Sequence, residues 1–511
     1  MAKISGKSKT ATIIIFAFIG LWAVAVGAYL YRQRSKLAPP PPAPSQAMAG
    51  DLERWVGIYQ AGTKIGYGFS RLRPVPDGFL LWAETRIRIL LLNSPQEIFV
   101  SIQARLDNQY AIRRVGFELS SSVMSLKADG ITEGRELILT LDTAGQKIEQ
   151  RLPFDEPPSL GREFVMAERL ARSQVGDVFS FSEFDPTTQR SILISAKVVA
   201  EENLDWNGRS VPCVKAEVTY AGQTEYNWIS RSGEILRTVS PATGFEYRAE
   251  SREQAMNVDW AAAGGVDLAS ALMVKSSRDL TGPRNAELLK AKLLGAPLEG
   301  LDLTAPGRQT FADGVVTIER EQALNGPGYA LPLSESDPAQ AEQLKEFLSA
   351  SAFIQSDDPK IRTAAAEARG SGAGAIETSR MLTSWVSANV QDTMVVSVPS
   401  AVEVLEKKKG ACKEHTVLFV ALARALGLPA RPVSGIVYMD ETAVPGFYYH
   451  AWAEVWLPGL DGAGRWFAVD PTFNQFPADA THIKLKEGEL REMIELMRVI
   501  GRLRVEVEDY R

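Results

Sequence analysis

Cysteine and histidine are scarce in this chain, and neither sign of charge dominates it. Only Cys213 and Cys412 occur among 511 residues, roughly 200 positions apart, which excludes a fold stapled by several disulfides. Three histidines, His415, His450 and His482, leave a short search for a side chain that moves protons near neutral pH. With 56 basic and 62 acidic residues the formal charge is -6, so the basic surface of a nucleic-acid binder is missing and no nucleic-acid partner is expected. The run Gly370 to Gly374 has neither a strand before it nor a Gly-Lys-Ser/Thr ending, which argues against a phosphate cradle. No repeat period is visible. What is present is globular: 45% hydrophobic and 23% charged residues, in a chain long enough for about three domains of about 150 residues.

After Lys3, Lys7 and Lys9 the 21 residues Ala11 to Tyr31 carry no charge. At about 1.5 Å per residue such a run matches a hydrocarbon core of about 30 Å, so it predicts one membrane-spanning helix, closed by Arg32, Arg34 and Lys36. A cleaved leader fits less well, because the small-residue site Ala47-Met48-Ala49 lies far downstream of the apolar run. On this reading residues 1–10 are a cytoplasmic tail, 11–31 the transmembrane helix and 32–54 a Pro-rich linker. The bulk of the chain then lies outside the cytoplasm, periplasmic or extracellular, held to the cell membrane by that single helix.

Short alternating runs fill residues 55–250, among them Gly78 to Ile89, Ile98 to Leu106 and Val211 to Tyr220, with turn clusters such as Trp206-Asn207-Gly208 between them. They predict a β-rich domain, a curved sheet or a sandwich, interrupted by one helix at Arg162 to Arg172. Cys213 falls inside a strand far from any histidine and reads as a small buried hydrophobe. Residues 251–333 form a small mixed segment or a second β domain. From Asp337 the period becomes helical, over Ala339 to Ala350, Asp358 to Ala368, Ala375 to Asn389 and Val402 to Lys408. Residues 334–486 form the domain that carries the chemistry, and 487–511 a C-terminal helix and strand.

Gly410 breaks the chain just before Cys412, and an apolar helix follows through Val417, Leu418, Ala421 and Leu422 to Gly427 and Pro429. Cys412 therefore stands at a helix amino terminus, where free N–H groups and nearby Lys407, Lys408, Lys409 and Lys413 are expected to lower its thiol pKa. Downstream, Tyr448 to Leu457 predicts a strand with His450, Trp452, Glu454 and Trp456 on one face, and Arg465 to Asp470 a second strand. A hairpin symmetric about Leu460 sets His450 opposite Asp470, with Cβ atoms about 5 Å apart. Asp470 can then fix one ring nitrogen of His450 and turn the other toward Cys412. Trp452 and Trp456 read as packing residues or groove walls. The Cys412-x-x-His415 pair, with His450 or His482, is too short of ligands for a structural zinc, so neither metal nor cofactor is expected. His415 reads instead as a support for the cysteine's helix, and His482 as a surface or hydrogen-bonding residue.

Gly-Ala-Cys-Lys-Glu-His at 410–415, His-Ala-Trp-Ala-Glu-Val-Trp at 450–456 and Trp-Phe-Ala-Val-Asp-Pro-Thr at 466–472 closely resemble the bacterial transglutaminase-like superfamily. The resemblance spans Ala375 to Lys486, about a fifth of the chain. It implies a papain-like core with Cys412, His450 and Asp470 as catalytic triad, acting on protein or peptide amides through a thioester that water or an amine resolves. The run Asn389 to Thr393 departs from the aromatic that often follows the preceding helix in related chains. The backbone N–H of Cys412 is the natural first oxyanion donor, and the second is open between Trp385, Gln391 and others. The expected fold is thus α+β and multidomain: an N-terminal transmembrane helix, the β-rich domain and a C-terminal papain-like transglutaminase core. The rival class is an envelope binding or scaffold protein that keeps this fold without turnover. Oligomeric state is not legible.

Overall fold

The computed structural model describes residues 51–511 except 92–93, 122–124, 144–145, 186–188, 268–272, 394–399, 443, 461 and 490–491. The expected tail, transmembrane helix and most of the Pro-rich linker lie outside the described residues. Among the described residues no helix is long and apolar enough to cross a membrane. The expected fold class is corrected accordingly: strands make up 48% and helices 19%, and the dominant element is one large antiparallel sheet.

That sheet has fourteen strands and runs from Leu52–Gln60 to Phe245–Ala249. Each strand pairs with the next in the chain except at the step from Gln146–Pro153 to Val178–Asp185, and the first pairs with the last, Val56 opposite Ala249 and Gln60 opposite Phe245. A sandwich needs connections that cross between two sheets, but within each run of the chain, Leu52–Gln60 to Gln146–Pro153 and Val178–Asp185 to Phe245–Ala249, reversals keep every strand beside the one before it. Asn207 and Gly208, with φ of 53° and 74°, and Ala61 and Gly62, with φ of 47° and 82°, make two-residue hairpin turns that require positive φ at both positions. The two ends of the order are Gln146–Pro153 and Val178–Asp185. Between them in the chain lies the helix Arg162–Ala171, whose Met166 and Leu170 pack on Ile194, Val214 and Ile229 from one half of the sheet.

The mixed segment and the carboxy terminus make one structure. A five-stranded sheet orders Lys275–Ser276, Arg504–Tyr510, Leu288–Leu294, Val315–Glu319 and Gln309–Ala312. Sequence periodicity could not join strands more than 200 residues apart. This small sheet and the 3-10 turn Glu492–Arg498 meet the large one, where Gln223 Nε2 donates to Met497 O and Arg502 Nη2 lies 3.3 Å from Thr224 Oγ1.

The remaining core is a four-stranded antiparallel sheet ordered Gly464–Val469, Gly446–Pro458, Ala430–Met439 and Ile483–Glu487. Against it packs the helix Cys412–Ala425, surrounded by Pro359–Arg369, Ala375–Asn389 and Ala401–Lys407. Phe419 to Ala423 are all fully buried. A helix apolar around its whole circumference is stable only when other elements enclose it.

Candidate active site

Local chemistry places Cys412. The carboxylate of Glu414 folds back to accept the N–H of Ala411 at 2.9 Å, closing the first turn of the helix. A Cβ on Gly410 would lie 2.2 Å from Cβ of Glu414, so only glycine leaves room for that fold-back. Lys409–Gly410 pairs with Gln391–Asp392, and Thr393 N donates to Gly410 O at 2.9 Å. The segment after the Trp385 helix thus borders the cysteine. Gln391 contributes its N–H to Lys408 O, and Trp385 remains on the helix behind.

His450 and Asp470 come together, though by a different register from the expected one. The hairpin pairs Ala453 with Val469 and Trp456 with Trp466, a centre one residue later, so Asp470 falls two positions from His450's place in the ladder. A shift of two keeps both side chains on one face, and diagonal neighbours remain within side-chain reach. His450 Nε2 donates to Asp470 Oδ2 at 2.7 Å. The ladder stops there because Asp470 turns away to bridge Gln475, while its Oδ1 accepts Thr472 N at 2.7 Å and Phe473 N at 3.1 Å. Opposite His450 on the next strand stands Gly435, where a Cβ would lie 2.0 Å from Ile483 O.

The residue after His450 links it to the thiol: Ala451 N donates to Cys412 Sγ at 3.1 Å. His450 Nδ1 is buried with no hydrogen-bond partner among the described residues. Because Nε2 faces a carboxylate, the proton of a neutral ring resides there and Nδ1 offers a lone pair. Phe473 stacks on the imidazole at 5.1 Å, with the Arg284 guanidinium 4.2 Å from its own ring centre.

The expected low thiol pKa is corrected. Burial pushes the Cys412 thiol well above its ordinary value, against the Ala451 N–H, and the carboxylates of Asp470, Glu414 and Asp392 act in the same direction as burial. Of the lysines expected to help, Lys407 pairs with Glu403 at 2.5 Å, and burial lowers the Lys413 ammonium. Burial also lowers His450, in spite of Asp470. Asp470 itself is held far below the carboxylate range: burial opposes its charge, but His450 and His482 outweigh burial.

His482 is the residue that sequence reasoning undervalued. It is wholly buried, not at the surface, with Nε2 2.9 Å from Asp470 Oδ2. No periodicity marks it, and scarcity was its only signal. His415 turns Nδ1 to Ala411 O at 2.7 Å and Nε2 to Val390 O at 3.2 Å, bracing the start of the helix and leaving neither nitrogen for a metal. His450, Asp470 and His482 bring their ligand atoms within 4.8 Å of one another. Tetrahedral bonds of about 2.0–2.1 Å would hold ligand atoms about 3.3 Å apart. Separations of 2.7 and 2.9 Å to one oxygen are those of hydrogen bonds instead.

The chain thus sets a cysteine at a helix start against the strand that carries an imidazole tied to a buried carboxylate, and one known family matches this part of it. The match is to the transglutaminase-like superfamily, over residues 362–471. This transglutaminase-like domain contains Cys412, His450 and Asp470; His482 lies beyond it. An uncharacterized protein of Mycobacterium bovis is 37% identical over 93 residues, 17% of this chain and 29% of that protein. One of Mycobacterium leprae is 31% identical over 77 residues, 14% of this chain and 25% of that protein. The chain thus covers less than a third of these relatives' length. A candidate cysteine protease of Cytophaga hutchinsonii is similar at 18% identity and a TM-score of 0.28, covering 46% of this chain and 87% of that one. A beta-barrel-like protein of Brucella abortus is similar at 10% identity and a TM-score of 0.30, covering 39% and 94%. Likeness at that level carries no argument about activity.

Proposed function

We infer that the chain is a thiol enzyme acting on protein or peptide amides through Cys412, His450 and Asp470. The observation that carries this is the buried Nδ1 of His450, without a hydrogen-bond partner among the described residues, on a ring whose other nitrogen is tied to Asp470 and whose neighbour Ala451 touches the sulfur. A buried lone pair without a donor is unfavourable, and it marks a group kept ready for a proton.

In the proposed reaction Cys412 Sγ attacks the amide carbon as its proton passes to His450 Nδ1. The imidazolium, steadied by Asp470, gives that proton to the leaving nitrogen as the C–N bond breaks and a thioester remains. Water then delivers its hydroxyl to the acyl carbon, returning a proton through His450 to the sulfur. An amine in place of water yields a new amide. Hydrolysis is the favoured outcome, because water at about 55 M competes unless the groove excludes it. The scaffold reading draws on one observation, that Cys412 is 0% exposed.

Mass spectrometry of glutamine-containing peptides incubated with the protein and a primary amine distinguishes the outcomes, since deamidation, backbone cleavage and amine incorporation change mass differently. A product formed by the wild type and lost in Cys412→Ala supports the enzyme. Equal product from both, or none from the wild type while Cys412 and Cys213 react equally slowly with an alkylating probe, supports the scaffold.

A further inference from the structure

The strongest feature outside the three-residue reading is a histidine held between two carboxylates. His482 Nε2 shares Asp470 Oδ2 with His450, and its Nδ1 lies 3.2 Å from both Asp479 Oδ1 and Asp479 O. Asp479 is fixed in turn: Oδ1 accepts Thr481 N at 2.8 Å and Thr481 Oγ1 at 2.5 Å, and Oδ2 accepts Arg284 Nη1 at 2.8 Å and Gln475 Nε2 at 2.9 Å. A neutral imidazole has one N–H. Placed between two carboxylates in a dry site, it would press a lone pair against an anionic oxygen unless it held a second proton. His415, by contrast, meets only neutral carbonyls.

We propose that His482 is a positioning residue for the triad, a buried imidazolium that clamps Asp470 and keeps His450 in its neutral, proton-accepting form. The inference rests on the triad reading above and deepens it. Two donors on Oδ2 and two backbone amides on Oδ1 leave Asp470 one orientation, which sets the direction of the His450 ring. The positive charge of His482, with ring centres 5.5 Å apart, opposes a second positive charge on His450. Burial works against a charged His482, but Asp479 and Asp470 outweigh it and raise its pKa above the ordinary value. Both carboxyls stay ionised, Asp479 being held far below its usual range, against burial, by His482 and Arg284. Among the described residues the other charged or titratable groups facing the cluster include His450, Arg284, Arg308, whose Nη2 donates to Asp479 O at 2.6 Å and whose charge is paired with Glu321, and, from the C-terminal strand, Tyr510. The resting pair is therefore a thiol beside a neutral imidazole, and the proton moves as the sulfur attacks.

With three histidines in the chain, ring nitrogen-15 NMR of the full-length protein is assignable by single substitutions. The expected wild-type spectrum at pH 7 shows His482 protonated on both nitrogens and His450 on Nε2 alone. In His482→Gln, which retains a donor toward Asp470 but no charge, the His450 pKa rises by about one unit. The acid limb of Cys412-dependent turnover moves to higher pH with it, a shift that loss of packing would not cause. His482→Ala loses the donor as well and falls further in kcat. Asp479→Asn lowers the His482 pKa. A neutral His482 at pH 7, or an unmoved His450 pKa in folded His482→Gln, overturns the inference. If that variant does not fold, the wild-type spectrum decides. An inactive protein with the expected ring protonation would sink the amide reaction and leave the clamp standing, whereas an active one with neutral His482 would sink the clamp alone.

Discussion

The large sheet and the transglutaminase-like core handle charge in opposite ways. Many ion pairs of the sheet lie in water, as with Arg105 and Asp77, 44% and 49% exposed, and Arg231 with Glu201 at 42% and 49%. Around the candidate site in the core several are sealed, although on its outer helices Lys360 and Glu406 are 61% and 43% exposed. Lys484 and Glu454 are 2% and 3% exposed, and His450, His482 and Asp470 are at zero. Arg431 Nε adds a second bond to Glu454 at 2.8 Å. Taking a charge out of water costs several kcal/mol per ion before pairing offsets it, and an apolar core of equal volume would often be as stable. Stability alone therefore gives no reason to concentrate buried ionisable groups on one face of one strand, where His450 and Glu454 stand four residues apart. The proposed reaction does, since a proton shuttle needs fixed charges in a dry place.

The two cysteines put that contrast to its hardest test. Both are buried, and burial raises both thiols. Cys213 packs with Trp228 and Leu236, whereas Cys412 lies against the strand of His450. Cys412→Ala is expected to reduce turnover of the amide product by at least about 10³-fold, with a cavity cost of the same order as at Cys213. Cys213→Ala should keep activity and lose about 1–2 kcal/mol of stability through the cavity. Measured kcat and denaturant midpoints for both variants would break the comparison if the roles were exchanged.

A second test removes a buried charge away from the thiol. Glu454→Ala leaves Arg431 and Lys484 dependent on Glu487, at 2.7 and 2.6 Å, for their remaining charge pairing. The loss should be about 3 kcal/mol in chemical denaturation. Glu454 is held below its ordinary pKa against the effect of burial, chiefly by Lys484 and Arg431. A depressed carboxylate pKa stabilises above the unfolded value near 4 and is lost as pH falls through the folded value. The gap between wild type and variant should therefore be full at pH 6 and narrow under acid.

How much of this was legible follows from the range of the interactions. Gly410, the apolar helix and the face shared by His450 and Glu454 are local patterns of spacing, so the residues at the site could be named from the sequence. The hairpin centre depended on a loop with several turn formers, and an error of one residue moved the partner of His450 by two positions without changing its face. Burial is not local. The thiol's direction of shift was misjudged because helix end and lysines were visible while the carboxylates of Asp470, Glu414 and Asp392 around a dry sulfur were not. The sheet's strands were readable one at a time, but the pairing of first with last is a contact across almost 200 residues.

The pH dependence of the thiol sharpens the contrast with a smaller effect. A raised pKa means that thiolate appears only as pH rises, so alkylation of Cys412 by a small electrophile should accelerate about tenfold per unit while pH remains below that pKa. His450→Ala should slow Cys412 a further few-fold and leave Cys213 unchanged. A rate flat between pH 6 and 8 would mean an ion pair at rest and contradict the thiol–imidazole state.

The smallest effect belongs to the surface of the sheet. Arg105 Nη2 reaches Asp77 Oδ1 at 2.6 Å, and that bond holds the Asp77 carboxyl below its ordinary range. Water solvates either partner nearly as well as they solvate one another, and salt screens what remains. Asp77→Ala should leave the melting temperature unchanged within error at physiological salt, despite a bond as short as those around Glu454. If it proved as damaging as Glu454→Ala, bond length rather than burial would be what separates the two regions, and the argument that buried charge marks the chemistry would lose its footing.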